Sequence, residues 1–176
     1  MAVAKQKPVL ANPIVAGEAM RAHLPLVLAG LGAKSIDEVG WRALGDLGLL
    51  VPVAGRTADS KEPDSFYLRL EFYHYPDWPP SAQFVNPETL GYVRNVDQYW
   101  LPKIEGGEIH VHEHHDDLKR QLICCSATLE FYEVLHDVKA EYLWDPASHT
   151  FAHTINQIEW GLRSPRYKGR FRATRS

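Results

Sequence analysis

The chain has 176 residues, of which 45% are hydrophobic and 23% are charged, and its formal net charge at pH 7 is −3. This length suits a single domain over residues 1–176 with a sizeable core, and the composition is that of an ordinary soluble globular protein. The small negative charge gives no reason to expect a nucleic acid or a membrane as partner. Residues 24–31 form an apolar run far too short to span a membrane, and the N-terminus lacks a secretory pattern, so we expect a cytoplasmic protein.

The N-terminal part of the chain predicts a tail and one helix. Residues 1–11 are expected to form a loose tail. Asn12-Pro13 predicts a helix start, because asparagine caps helices well and proline suits the first helical position. This helix is expected to reach Gly32, with a break or restart at Pro25.

A run of consecutive strands is expected next. Residues 41–53 indicate one or two strands, and residues 54–64 are typical of a polar hairpin loop. In residues 66–73 every second side chain is apolar, which predicts a half-buried strand. Residues 81–85 predict a further short strand.

The C-terminal half predicts helices after an irregular region. Residues 88–122 have little regular pattern apart from a short strand at 109–112, and residues 126–140 favour a helix. An amphipathic helix is predicted by apolar residues at helical spacing, namely Phe151, Ile155, Ile158 and Leu162. Ser164-Pro165 should end it, leaving a basic tail over residues 166–176. Consecutive strands flanked by helices favour an α+β fold with an antiparallel sheet.

A proline-rich turn and a cysteine pair stand out chemically. The turn reads Tyr75-Pro76-Asp77-Trp78-Pro79-Pro80, and Phe84 follows four residues later. Each X-Pro bond restricts the residue before it, so the turn is a stiff link between strands. Cys124 and Cys125 are adjacent and cannot join distant parts of the chain, so free thiols in a reducing compartment are expected. A purely structural connector and buried packing thiols remain open as interpretations.

Together these segments resemble the ubiquitin-conjugating enzyme family, in a divergent bacterial form. In that family a Tyr-Pro-x-x-Pro-Pro segment ends the third strand, an aromatic residue follows in the fourth, and the active cysteine lies downstream in an Ile-Cys-Leu context. Ile123-Cys124-Cys125 resembles that context, Trp144 precedes the last helix, and residues 162–165 resemble its end. The resemblance implies a UBC-like fold, with an N-terminal helix, a four-stranded antiparallel meander and C-terminal helices packed on one side.

The resemblance also implies a carrier activity. Cys124 would accept a ubiquitin-like protein from an activating enzyme as a thioester, and the modifier would then pass to an amine or target protein, without a cofactor. Cys125 remains open as the nucleophile. His136, twelve residues beyond Cys124, is a candidate base or electrostatic support for the thiolate. Local positive charge of this kind should lower the pKa of the thiol. Bacterial relatives of this type occur in operons associated with antiphage defence.

Two other interpretations stay open. The family's His-Pro-Asn tripeptide, whose asparagine supports isopeptide formation, is absent before Cys124, which favours a UBC-like module that binds or scaffolds without catalysis. Imidazoles and carboxylates two residues apart on a strand can also bind zinc, which would make a small metalloprotein. The residues in question are His110, His112, Glu113, His114, His115, Asp116 and Asp117. This cluster is also compatible with a solvent-exposed acidic loop, or with a histidine that lies near Cys124.

Overall fold

The computed structural model describes residues 7–107, 109–134 and 142–172. Helix α1 (Pro13–Gly30) begins at the predicted cap, where Oδ1 of Asn12 accepts the N–H of Ile14 at 2.9 Å. The predicted break at Pro25 is wrong, because the helix continues through it. Pro25 and Arg21 are both exposed, so water can reach the carbonyl that loses its helical donor.

The segment before α1 is bound to the rest of the chain instead of forming a loose tail. The N–H of Ala11 donates to the carbonyl of Tyr73 at 2.9 Å, and Nδ1 of His74 lies 2.8 Å from the carbonyl oxygen of Val9. These bonds hold residues 7–11 beside the end of the third strand. Residues 1–6 of the expected tail lie outside the described residues.

The predicted strand meander forms one antiparallel sheet. Its strands lie in chain order as β1 (Arg42–Ala43), β2 (Gly48–Gly55), β3 (Asp64–Glu71) and β4 (Ser81–Phe84). Short 3₁₀ turns lie at Asp37–Val39 and Gln98–Trp100. The predicted α+β class and antiparallel four-stranded sheet are therefore confirmed.

One face of this sheet supplies much of the core. Apolar residues of β2 and β3 lie directly opposite one another, as the pairs Leu49–Leu70, Val51–Leu68 and Val53–Phe66. Helix α3 (Phe151–Arg163) buries its predicted apolar stripe in the same core, with the ring of Phe151 centred 5.3 Å from that of Phe72. Apolar side chains repeat every second residue on the strands and about every 3.6 residues on the helix. The two apolar faces that result pack against each other and hold α3 to the sheet.

Within the described residues four more strands and a short helix follow β4, of which the sequence predicts only a short strand at 109–112 and the helix. Strand β5 (Pro102–Ile104) pairs with β8 (Tyr167–Arg170), and β6 (His110–His115) pairs with β7 (Arg120–Cys124). Helix α2 (Leu129–Glu133) begins inside the predicted 126–140 helix, of which residues 135–140 lie outside the described residues. None of the described helices is long and apolar enough to cross a membrane.

The prediction of a basic C-terminal tail over residues 166–176 is wrong for residues 167–170, because they form strand β8. The guanidinium of Arg170 forms an ion pair with Asp64 at 2.9 Å and stacks 4.1 Å above the ring of Tyr99. The hydroxyl of Tyr167 donates to Asp64 at 2.5 Å. These distant partners order the segment as a strand, while residues 173–176 lie outside the described part of the chain.

A single side chain joins the β6–β7 hairpin to the edge of the sheet. Oε1 of Gln121 accepts the N–H of Phe84 at 2.8 Å, and its Nε2 donates to the carbonyl of Phe84 at 3.1 Å. Gln121 is 3% exposed, so both bonds are shielded from water. The amide of Gln121 therefore replaces a backbone partner at the outer edge of β4.

We expect Gln121→Leu to lower the free energy of unfolding by about 2 kcal/mol or more, because it leaves the buried N–H and C=O of Phe84 unpaired. Urea denaturation followed by circular dichroism measures this loss. Gln83→Leu, on the partly exposed side of β4, is the matched control and should change stability by less than about 1 kcal/mol. Equal losses in the two variants would contradict the bridging role of Gln121.

Candidate functional site

The two cysteines lie where β7 ends and a tight loop leads to α2, with Cys124 as the last residue of the strand. The hydroxyl of Thr128 is 2.8 Å from the carbonyl oxygen of Ile123 and 3.0 Å from that of Cys125, so its proton can be donated to either. The N–H of Thr128 also donates to the carbonyl of Cys125 at 3.1 Å. Thr128 is fully buried, and its three contacts fix the backbone that carries both thiols. We call residues 124–128 the cysteine loop.

The proline-rich turn is bonded to the end of this loop. The carbonyl of Pro80 accepts the N–H of Leu129, the first residue of α2, at 3.2 Å. The turn itself is anchored by Tyr75, which is fully buried, packs its ring against Phe72 and shares a hydrogen bond with Nδ1 of His23 in α1. The stiff turn therefore connects α1 to the chain immediately after the cysteines.

Two aromatic residues tie the turn to the loop a second time. The ring of Trp78 packs edge-on against Tyr132 in α2, with centroids 5.2 Å apart. The hydroxyl of Tyr132 donates to the carbonyl of Ser126 in the cysteine loop at 2.8 Å and accepts the N–H of Trp144 at 2.7 Å. Nε1 of Trp144 then donates to the carbonyl of Pro76 at 2.8 Å. The turn, the cysteine loop and Trp144 thus form one hydrogen-bonded unit.

A fully buried carboxylate lies beneath this unit. Glu130 accepts hydrogen bonds from the hydroxyl of Ser81 and from the N–H of Ala82, the latter at 3.2 Å. The guanidinium of Arg120 lies 3.5 Å from Glu130 and 2.5 Å from Glu133. Burial raises the pKa of Glu130 to about 7, while the bonds from Ser81 and Ala82 and the charge of Arg120 act in the opposite direction. The group is therefore close to its titration midpoint at neutral pH.

Both thiols are protonated at neutral pH. Burial raises the pKa of Cys124 to about 11 and that of Cys125 to about 12. The expectation of a lowered thiol pKa is therefore not met in the chain by itself, because desolvation disfavours the thiolate. Cys124 is the more acidic of the two and lies at the end of β7.

His110 is the histidine of the predicted cluster that lies beside Cys124. The two residues are directly opposite each other in the β6–β7 register, so their side chains project from the same face. Nδ1 of His110 is buried and has no hydrogen-bond partner among the described residues. This register agrees with the interpretation that a histidine of the 110–115 cluster lies beside Cys124.

The rest of the cluster does not converge on a metal site. The rings of His110 and His112 are 4.6 Å apart and those of His112 and His115 are 6.2 Å apart. The carboxylate of Glu113 is used elsewhere, accepting bonds from the hydroxyl of Tyr92, the N–H of Asn95 and Nε2 of Gln98. Within residues 7–107, 109–134 and 142–172, no group of three His, Cys, Asp or Glu side chains is arranged to hold a metal ion.

Sequence reasoning identified Cys124, Cys125 and the turn, while His136 lies outside the described residues. It missed Glu130 and Gln121. The sequence does contain a signal for Glu130, because a carboxylate placed directly between Leu129 and Phe131 indicates a buried group that needs hydrogen-bond partners.

No protein-family model, curated protein or solved structure matches this chain. Its own residues are therefore the basis for assigning a function.

We expect Cys124 in Cys125→Ser protein to react slowly with iodoacetamide at pH 7, because a pKa of about 11 leaves roughly one thiol in ten thousand ionised. The rate should rise about tenfold for each pH unit between pH 7 and pH 10. Mass spectrometry of timed samples measures it.

Two controls accompany this measurement. The same protein in urea should react far faster at pH 7, because an unfolded cysteine has a pKa of about 8.5. Cys124→Ser protein reports Cys125, which should react more slowly because its pKa is higher. A rate for Cys124 that levels off below pH 8 would contradict the raised pKa.

We expect the free energy of unfolding to fall as the pH rises from 5 to 8, because folded Glu130 binds its proton more tightly than the unfolded residue, whose pKa is near 4.5. This contribution is complete below pH 4.5, is lost as the pH passes 7, and amounts to at most about 3 kcal/mol. In Glu130→Gln the decline should be much smaller. Urea denaturation across this range measures it, with the partly exposed Glu133→Gln as the control that keeps the wild-type slope.

Proposed function

We propose that the protein is a ubiquitin-conjugating-like carrier, with a UBC-like fold and Cys124 as the residue that holds a ubiquitin-like protein as a thioester. The observation that carries the proposal is the bonding of the proline-rich turn to the cysteine loop, through Pro80 to Leu129 and through Trp78 and Tyr132 to Ser126. Three segments that resemble the family separately are joined here in space. An N-terminal helix, a four-strand antiparallel meander and helices after the cysteines are consistent with it, while β5 to β8 are elements that the resemblance does not account for.

Transthiolation is the step that suits this site. The thiolate of Cys124 attacks the carbonyl carbon of the modifier's thioester, a new C–S bond forms, and the bond to the activating enzyme's sulfur breaks. The departing thiolate takes up a proton, so one thiol and one thioester are present before and after. Attacking and leaving groups are chemically alike, which makes the exchange nearly isoenergetic.

His110 is the residue we assign to accept the proton of Cys124. It lies across the strand pair from the thiol, and its buried Nδ1 has no hydrogen-bond partner within the described residues. Imidazole is the side chain that most often serves as a general base. The modifier and the activating enzyme would supply the remaining electrostatic help when they bind. Until then the protonated thiol resists oxidation, since the thiolate is the reactive form.

A UBC-like binding module is the second candidate. The high pKa values of Cys124 and Cys125 and the missing His-Pro-Asn tripeptide both favour it. Such a module would hold the same partners, a ubiquitin-like protein and its activating enzyme, without forming a covalent bond.

Incubation with ATP, a ubiquitin-like protein and its activating enzyme from the same organism tests the proposal. We expect a reducible adduct, seen by mass spectrometry, on the wild type and on Cys125→Ser. Cys124→Ser should give no reducible adduct, and His110→Gln should form it more slowly, by about tenfold or more, if His110 removes the thiol proton.

Charging of the activating enzyme in the same tubes is the internal control. Absence of an adduct on every variant, with the activating enzyme charged, would exclude the carrier. Binding of the modifier without an adduct would then identify the binding module. An adduct confined to Cys125 would identify Cys125, and not Cys124, as the nucleophile.

A further inference from the structure

A surface groove lies on the part of the molecule formed by the turn after β2 and the chain after α3. Its volume is about 890 Å³, within the range of ligand and peptide sites. Its walls carry three cations, Arg56, Arg163 and Lys168, and one carboxylate, Asp59. None of these residues takes part in the cysteine site.

The groove is positive although the chain as a whole is negative. Three basic side chains against one acidic side chain give it a local excess of positive charge, whereas the whole chain has a net charge of −3. Arg166 and Arg172 are further cations of the segment 163–172, which contains no acidic residue. Charge of one sign gathered in a concave site attracts a ligand of the opposite sign.

Two of the three cations keep their full charge available. Nε and Nη2 of Arg56 donate to the carbonyls of Ser60 and Lys61 at 3.3 and 3.2 Å, and Nζ of Lys168 donates to the carbonyl of Pro165 at 2.8 Å. Carbonyls orient these side chains without neutralising them. Among the described residues no carboxylate lies within ion-pair distance of Arg56 or Lys168, in contrast to Arg163, which pairs with Glu159 at 2.9 Å.

Small apolar side chains share the walls with the cations. Ala58 and Pro165 are exposed there, whereas the side chain of Tyr167 is 2% exposed and its hydroxyl is already bonded to Asp64. The groove therefore suits a ligand that combines negative charges with an apolar group. A nucleic acid fits less well, because polyphosphate binding depends on an extended positive surface and the net charge of this chain opposes it.

We propose that this groove binds a short acidic segment of a partner protein, in which glutamate or aspartate residues flank an apolar side chain. Arg56 and Lys168 bind the carboxylates, and the exposed Ala58 and Pro165 contact the apolar side chain. The assignment is independent of the carrier function, since it uses no residue of the cysteine loop.

Fluorescence anisotropy with a short fluorescein-labelled peptide, in which glutamates flank a leucine, tests the assignment at low ionic strength. We expect saturable binding that weakens as salt is added. The double variant Arg56→Ala/Lys168→Ala should lower the affinity by several-fold to about tenfold, because two exposed charge pairs are lost. Both residues are exposed, so the fold should be kept, and circular dichroism checks this.

The double variant Lys34→Ala/Arg42→Ala is the matched control, since it removes the same two charges from exposed positions outside the groove. It should bind the peptide like the wild type. No binding of the peptide, or an equal loss in both double variants, would overturn the assignment. A single-stranded oligonucleotide that binds more tightly than the peptide and depends on Arg56 and Lys168 would overturn it in favour of a polyphosphate site.

Discussion

The burial of the Glu130 carboxylate is the constraint on which the candidate site depends. Removing a carboxylate from water costs several kcal/mol unless bonds replace the lost hydration. Those bonds come from Ser81 and Ala82 in β4 and from Arg120 in β7, while Glu130 itself belongs to α2. Three chain segments must therefore be in place together. The cysteine loop connects β7 to α2, so its shape is fixed by a group that does not belong to it.

This arrangement separates the support of the site from its chemistry. The proline-rich turn, Tyr132 and Trp144 hold the backbone around the thiols through carbonyl and N–H contacts. Reactivity is a separate matter, because burial keeps Cys124 protonated in the chain alone. A partner that changes the surroundings of the thiol can then switch on its chemistry without rebuilding the loop. The same support would serve a binding module equally well, so the two proposed functions rest on one geometry.

Local signals in the sequence predicted the local structure well. The Asn12 cap, the alternation in β3 and the apolar stripe of α3 are each encoded within a few residues, and all three are observed. Features that depend on distant partners were missed. Strand β8 is ordered by Asp64, about a hundred residues away in the chain, and the periodicity of residues 88–122 does not reveal which strands pair. At Pro25 the local signal was misleading. It predicted a break in α1, but the helix continues because water can reach the carbonyl that loses its helical donor.

The bridging amide of Gln121 has a consequence for how the molecule behaves among its own copies. An open sheet edge offers unpaired N–H and C=O groups to any extended chain nearby, and this is a common start of aggregation. Here the outer edge of β4 is occupied by Gln121 and Glu130, and the opposite edge, β1, is only two residues long. On the β4 side the row of backbone groups is therefore interrupted at Ala82 and Phe84. Concentrated solutions of the folded protein should accordingly resist fibre growth by strand addition at this edge.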